Sequence, residues 1–343
     1  MKATMAITGI TGFIAAHLAA GLLARGYDVR GTTRDIAKLR DTKLLLLPGA
    51  AQRLHIVEAD LLASPEAYKP AFADCGIVFH TASPYTLEAK NPQLELVDPA
   101  VKGTLAVLAA AAATPSVKRV VLTSSMAAVT DEPDKRIILT EADWNTRSSL
   151  TRNPYYFAKT EAERAAWTFM TREKPGFDLV VINPFLVIGP SLTPGLNTSN
   201  HIIVEALTGV FPAIMELTWG MVDVRDVAEA HILAAETPTA SGRYLCAAES
   251  VTMRRLIDIL KPLARPGDKL PTRAIDFWLG STIGRLFAFT QQPGAASYMK
   301  THLGRTPRFD TSKIQQELGL RYRSIDASVA ETVADLREWR HLG

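Results

Sequence analysis

The sequence predicts an α/β fold, a doubly wound parallel sheet joined to a smaller, mainly helical C-terminal lobe. Three observations carry that expectation. Short apolar runs alternate with helical patterns through the first half of the 343 residues. A turn spaced by glycines separates the first run from the first helix. After Asn183 the rhythm breaks into a stretch rich in Pro, Gly, Ser and Asn. Repeated strand–helix units imply a parallel sheet with helices on both faces.

Taken in order, residues 3–8 form an apolar run suited to a buried parallel strand. A helix is expected over 12–25, with Gly26 where a C-cap glycine belongs. Further strands are expected at 27–33, 55–58, 77–81, 117–123 and 179–183, with helical patterns at 94–113 and 155–172. The stretch "PFLVIGPSLTPGLNTSNH" reads as loop, and 223–245 as one more helix and strand returning to the sheet. The remainder, including "IDFWLGSTIGRLFAFT", reads as the helical lobe. The expected division is a dinucleotide-binding domain over 1–183 and 222–248, and a substrate-binding lobe over 184–221 and 249–343.

Composition narrows the class. With 47% hydrophobic and 21% charged residues the chain has ordinary globular composition. The net charge of +3 is spread along the chain, which argues against a nucleic-acid partner. Cys75 and Cys246 give no ligand spacing, and neither do the seven histidines, so no metal is expected. The apolar run at 105–113 is far too short to cross a bilayer, and the N-terminus enters a strand at once. The expectation is a cytoplasmic protein with no membrane partner.

Directly after the first run comes "TGITGFIAA", with Gly9, Gly12 and Ala15 spaced three apart. A tight turn tolerates no Cβ clash, and a phosphate must approach the backbone closely. The helix N-terminus then offers free N–H groups and partial positive charge. In this strand–turn–helix setting the pattern predicts a Rossmann-type dinucleotide site. No Gly-Lys-Ser/Thr follows, which excludes a Walker-type loop. The second strand ends "RGTTRD", placing Arg34 where an acidic residue would hold the ribose of NAD. Arginine pairs bidentately with a 2′-phosphate, so NADP(H) is expected ahead of NAD(H). Asp35 beside it offers a competing carboxylate, and Lys38 either a second cation or a solvated surface charge. Asp60, at the end of the third strand, is placed to meet adenine or to cap a helix.

"NPYYFAK" puts two tyrosines before Lys159. Tyr156 is three residues before it and Tyr155 four, and helix geometry admits both. Asn153 and Pro154 suggest an N-cap and first-turn pair. Ser124 and Ser125 end a strand at the sheet edge where ligands bind. An ammonium one turn from a phenol favours phenolate, and a nearby hydroxyl can orient a substrate oxygen while tyrosine moves a proton.

Together, "TGITGFIAAHL", "RGYDVRGTTRD", "FHTASP", "VKGTLAVL", "VVLTSS", "YYFAK", "VINPFLVIGP", "VDVRDVAEAH" and "GRYLC" run through most of the chain. The chain resembles the extended short-chain dehydrogenase/reductases, in their dihydroflavonol reductase and cinnamoyl-CoA reductase-like branch. The resemblance implies that Tyr155, four before the lysine, is the catalytic tyrosine, with Ser125 and Lys159 completing the set and Lys159 also holding the nicotinamide ribose. It further implies a cofactor lined by Thr8, Gly9, Thr11, Gly12, Phe13 and Ile14 of the turn, by Leu61 beside Asp60, and by Thr81, Ala82 and Ser83. Thr123, Pro184, Leu186 and Val187 complete that lining. His17 and His231 read as structural. Homodimers are common on this fold, but the sequence locates no pairing face.

Enzymes on this fold act on nucleotide sugars, CoA thioesters, steroids, aldehydes and ketones, and fold does not choose among them. Residues 175–224, which include the loop expected to face substrate, contain no Lys or Arg. Burying phosphate charge without cations is costly. The expected substrate is therefore an apolar, aromatic or alicyclic aldehyde or ketone, reduced to the alcohol reversibly, with Tyr85, Thr130, Phe185, Leu192 and Phe211 around it. Arg225, Arg305 and Arg308 are the cations placed to reach in from elsewhere. Where dihydroflavonol reductases carry an asparagine, this chain has Thr130, which puts strict dihydroflavonol specificity in doubt. Phe277, Trp278, Phe287 and Phe289 cap the pocket, fill the lobe core or, as a third alternative, dock on a membrane surface. The rival functions are a nucleotide-sugar epimerase or dehydratase with tightly bound cofactor, and a non-enzymatic nucleotide-binding sensor.

Overall fold

The structure is a computed structural model that describes residues 3–83, 89–134, 136–276 and 293–343. Tyr85 and the aromatic residues Phe277, Trp278, Phe287 and Phe289 lie outside the described residues.

Seven parallel strands form the main sheet. They are β1 (Thr4–Thr8), β2 (Asp28–Thr33), β3 (Leu54–Glu58), β4 (Cys75–His80), β5 (Arg119–Thr123), β7 (Asp178–Pro184) and β10 (Gly242–Cys246). Their order across the sheet is β10-β7-β5-β4-β1-β2-β3. Side chains alternate between its faces, as the two-residue repeat of a strand requires. Ile7 and Val121 join a core with Leu18, Leu22 and Val227, whereas Ala6 and Val120 join one with Leu108 and Ala166. The first face is covered by α1 (Phe13–Ala24) and α7 (Val224–Glu236), the second by α4 (Asp98–Ala112) and α5 (Pro154–Glu173). Two four-residue helices, α2 (Ala50–Arg53) and α3 (Lys69–Phe72), precede β3 and β4. The chain runs outward in opposite directions from β1 and β4, which opens a crevice at their C-terminal ends.

The sequence resolved less of the second half. A three-stranded sheet joins β8 (Leu186–Ile188), β9 (Thr218–Asp223) and β11 (Glu249–Thr252), in the order β11-β9-β8. The stretch taken as loop thus contains β8, whose three residues between Pro184 and Gly189 are too few to show a period. A short parallel pair joins β6 (Ile138–Leu139) to β12 (Arg308–Phe309). Around the second sheet lie α6 (Thr198–Thr208), α8 (Met253–Leu260), α9 (Pro293–His302) and α11 (Ile325–Glu338), while α10 (Ser312–Leu318) packs beside β10. The helical pattern at 94–113 divides into a π turn, Gln93–Val97, and α4. Pro99 lacks the N–H that would continue the α ladder through this point.

Asp223 joins the two sheets' surroundings. Its carboxylate accepts from Arg225 N (2.8 Å) at the start of α7, and from Ser328 Oγ (2.6 Å) on α11. Arg225 is held by Asp223 and Glu331, and Arg305 by Glu132.

Candidate active site

The glycine turn occupies the crevice. Gly9 takes φ +68°, a conformation that favours glycine, and a Cβ there would stand 3.0 Å from Ala82 Cβ. Gly12 N donates to Gly9 O (2.8 Å), closing the turn, and a Cβ at Gly12 would crowd that same carbonyl at 3.1 Å. No side chain caps α1, so its first N–H groups are open to an anion. Thr8 Oγ1 accepts from the backbone N of Thr81 and Ala82 (3.2 Å each) and donates to His80 Nδ1 (2.8 Å). This stitches the ends of β1 and β4 together. Burial, reinforced by Lys159, pushes His80 down to about 3, so the ring is neutral. A cradle of this shape, closed to side chains and open to anions, fits a dinucleotide.

At the end of β2, Arg34 is exposed and makes no ion pair among the described residues. Asp35 is already engaged, because Oδ1 accepts from Ala37 N (3.0 Å) and caps the 3₁₀ turn Ile36–Asp41. Lys38 is exposed in that turn. Asp60 Oδ1 accepts from Leu62 N (2.8 Å), a local turn, and Leu61 packs over Gly103 of α4.

Ser125 follows the end of β5, and Tyr155 and Lys159 lie in the first turns of α5. Ser125 Oγ accepts from Ala127 N (3.2 Å), and its carbonyl accepts from Asn183 Nδ2 (3.2 Å). Lys159 Nζ lies 6.0 Å from the Tyr155 ring centroid and donates to Ser83 Oγ (2.9 Å). Tyr156 turns away: its ring stands at 84° to that of Tyr155 and 5.7 Å from His302, with its hydroxyl 3.5 Å from Nε2. The structure therefore separates two tyrosines that spacing alone leaves equivalent. Lys159 is 9% exposed, and burial pulls it down to about 8 against the opposing pull of Glu163.

Other candidate residues hold contacts of their own. Asn153 stands at the N-cap of α5 ahead of Pro154 but makes no side-chain capping bond; it takes φ 47°, and its side chain donates to Thr301 Oγ1 (3.1 Å), tying the helix start to α9. The Thr123 hydroxyl, expected among the cofactor-lining groups, is committed to His231 Nε2 (2.7 Å), whose Nδ1–H donates to Val227 O. The described pocket candidates fall in separate packing clusters. Phe185 is buried against Phe309, ring centroids 4.7 Å apart. Phe211, partly buried, packs against the core of the second sheet, and Leu192 packs against the cluster that contains Leu39 and Leu44. Thr130 Oγ1 accepts from Glu132 N (3.2 Å). Pro184 and Val187 are buried beside half-buried Leu186, where β7 gives way to β8.

Sequence reasoning missed His80 and Glu163, and it placed Ser124 at the ligand edge without its partner. Glu163, fully buried, accepts from Ser124 Oγ (2.5 Å) and Asn183 Nδ2 (2.8 Å) and pairs with Arg243 Nε (2.6 Å). Its position four residues after Lys159 was the available signal.

The model of the NAD dependent epimerase/dehydratase family matches residues 5–247. The chain belongs to this family. It is an NAD(P)-dependent oxidoreductase of the extended short-chain dehydrogenase/reductase type, on the dihydroflavonol and cinnamoyl-CoA reductase-like branch. Cinnamoyl-CoA reductase 1 of Arabidopsis thaliana is 39% identical over 343 residues, covering 99% of this chain and 90% of that protein. Tetraketide alpha-pyrone reductase 1 of Arabidopsis thaliana is 36% identical, covering 99% and 97%. Among solved structures, yeast methylglyoxal/isovaleraldehyde reductase Gre2 complexed with NADPH superposes with a TM-score of 0.80 at 28% identity, covering 98% and 99%. Among the described residues no helix is long and apolar enough to cross a membrane, and no cluster of side chains could hold a metal ion.

Proposed function

We propose that this oxidoreductase reduces an apolar aldehyde or ketone, aromatic or alicyclic, to the alcohol, and runs in reverse as an alcohol dehydrogenase. The observation that carries the reading is the buried Lys159 ammonium beneath the Tyr155 ring, with Ser125 at the adjoining strand end. NADP(H) is the cofactor: Gly9, Gly12 and the open start of α1 would hold its pyrophosphate, and Arg34, with Lys38 behind it, its 2′-phosphate. Engagement of Asp35 Oδ1 as a cap favours that choice, since part of the carboxylate beside Arg34 is already taken up by the backbone. When bound, NADPH supplies the hydride that goes to the carbonyl carbon. Tyr155 delivers its hydroxyl proton to the carbonyl oxygen, Ser125 orients that oxygen by a hydrogen bond, and the Lys159 charge stabilises the phenolate left behind.

The substrate class rests on charge. Residues 175–224 lack Lys and Arg, and the neighbouring Arg225 and Arg305 are engaged by carboxylates. A phosphate-bearing substrate that drew on these two arginines would have to break their pairs. A second reading, a CoA thioester as substrate, is favoured by the cinnamoyl-CoA reductases among the relatives. NADPH consumption measured over a panel of aryl and alicyclic aldehydes and ketones, alongside an aryl-acyl CoA thioester, separates the two. A kcat/KM at least tenfold higher for a free carbonyl supports the first reading; the opposite order replaces it with the second. Cofactor that copurifies, with no NADPH consumed by any member, would point to an epimerase.

A further inference from the structure

Behind Lys159 lies a cavity of about 10 Å³, room for one water, bounded among others by His80, Ser83, Thr104, Ser124, Lys159 and Glu163. We propose that Glu163 is a positioning residue for the reaction: a counter-ion to Lys159 across this one-water site, and the anchor of the strand end that carries Ser125. Glu163 and Lys159 lie one turn apart on α5 and face the same cavity. The site is polar on several sides, as a resident water requires.

The carboxylate is held in place from every direction. Ser124 donates to it at 2.5 Å, Arg243 approaches at 2.6 Å, and Trp167 Nε1 donates at 3.3 Å. Asn183 bridges it to the active site, one amide nitrogen donating both to Glu163 Oε2 (2.8 Å) and to the Ser125 carbonyl (3.2 Å). Arg243 is fixed in turn, stacked 4.0 Å over the Trp144 ring and donating to the carbonyls of Glu141 and Asp143. A buried carboxylate with one cation directly paired and a second across a water belongs to both. The charged or titratable groups facing Lys159 are His80 from β4, Tyr155 and Glu163 from its own helix and, behind Glu163, Arg243 from β10. His80 stays neutral above about pH 3, so Glu163 is the anion among them that favours the ammonium at neutral pH.

The kinetic part of this inference rests on the carbonyl-reductase reading; the titration part does not. The protein labelled with ¹³C at lysine Cε is titrated by NMR, with the Lys159 resonance assigned by its absence in Lys159→Met. In Glu163→Gln the Lys159 midpoint should move to lower pH by about half a unit or more, because its counter-charge is gone and Arg243 is uncompensated. Glu163→Asp, which keeps the charge, should hold the midpoint within about 0.3 unit. With the best carbonyl substrate, kcat of Glu163→Gln should fall at least tenfold while KM changes less than about threefold. An unmoved midpoint in Glu163→Gln overturns the counter-ion role, and a moved midpoint with unchanged kcat overturns the role in the reaction. Should Glu163→Gln fail to fold, Glu163→Asp decides: a displaced midpoint overturns the inference, and a retained midpoint with lowered kcat upholds it.

Discussion

Replacing Lys159 with methionine should cost activity yet leave the protein slightly more stable. The ammonium stands 6.0 Å from the Tyr155 ring centroid. Two unit charges at that separation, at an effective dielectric of about 20, interact by about 3 kcal/mol. Losing that stabilisation of the developing phenolate is about a hundredfold in rate. Stability runs the other way. Burial pulls Lys159 from its ordinary 10.5 down to about 8, so at pH 7 the folded protein carries a charge it would rather shed. That penalty is about 3 kcal/mol, partly offset by the charged hydrogen bond to Ser83, which is worth about 2 kcal/mol. Methionine has the same reach and no charge, so the net gain is about 1 kcal/mol, about 1–2 °C in Tm. The sign follows from linkage. Between about pH 8 and 10.5 the unfolded lysine binds a proton that the folded one has lost, so the penalty is complete below pH 8 and fades as pH rises. The advantage of the mutant should therefore vanish at about pH 9. Turnover at saturating NADPH and a melt at each pH make the assay. Turnover within threefold of wild type would refute the electrostatic role, and a lower Tm at pH 7 would refute the burial penalty.

Other perturbations test the cofactor cradle and the buried histidines. Arg34→Ala should lower kcat/KM for NADPH by about 10- to 100-fold, the worth of a charge-assisted pair, and leave NADH use within twofold; equal losses with both cofactors would move the 2′-phosphate elsewhere. Gly9→Ala forces a Cβ onto Ala82 at φ +68° and should weaken NADPH binding at least tenfold, as read by fluorescence titration, whereas unchanged affinity would remove the turn from the site. His80, His231 and His302 are pushed down to about 3, 4 and 3 by burial. Below pH 6.5 the unfolded chain takes up protons that the folded chain refuses. Stability should thus fall as pH drops toward 4, by up to about 2 kcal/mol per histidine at pH 5. A melt unchanged between pH 7 and 5 would contradict their neutral burial.

How far the sequence could be read followed from the range of the interactions involved. The first five strands and the glycine turn were legible because apolar runs and local turn chemistry define them. Tyr155 and Tyr156 were not separable by spacing, since both reach Lys159 along one helix; His302, far along the chain, draws Tyr156 away. Glu163 could be named as a neighbour of Lys159, but its burial depends on Arg243, eighty residues later in the sequence. The packing of Leu192 against the cluster that contains Leu39 and Leu44 joins segments far apart in the sequence, which the composition of its loop does not show. The second sheet was missed where three-residue β8 shows no period and where β9 is buried throughout, so neither strand alternates.

The central claim is that Tyr155, and not Tyr156, moves the proton. Tyr155→Phe and Tyr156→Phe should be compared for NADPH-dependent turnover of the best carbonyl substrate. Loss of about 10²- to 10⁴-fold is expected for Tyr155→Phe, the usual worth of a positioned general acid. Tyr156→Phe gives up a 3.5 Å contact to His302 and should stay within about threefold of wild type. Near-normal turnover in Tyr155→Phe, or the larger loss in Tyr156→Phe, would contradict the account.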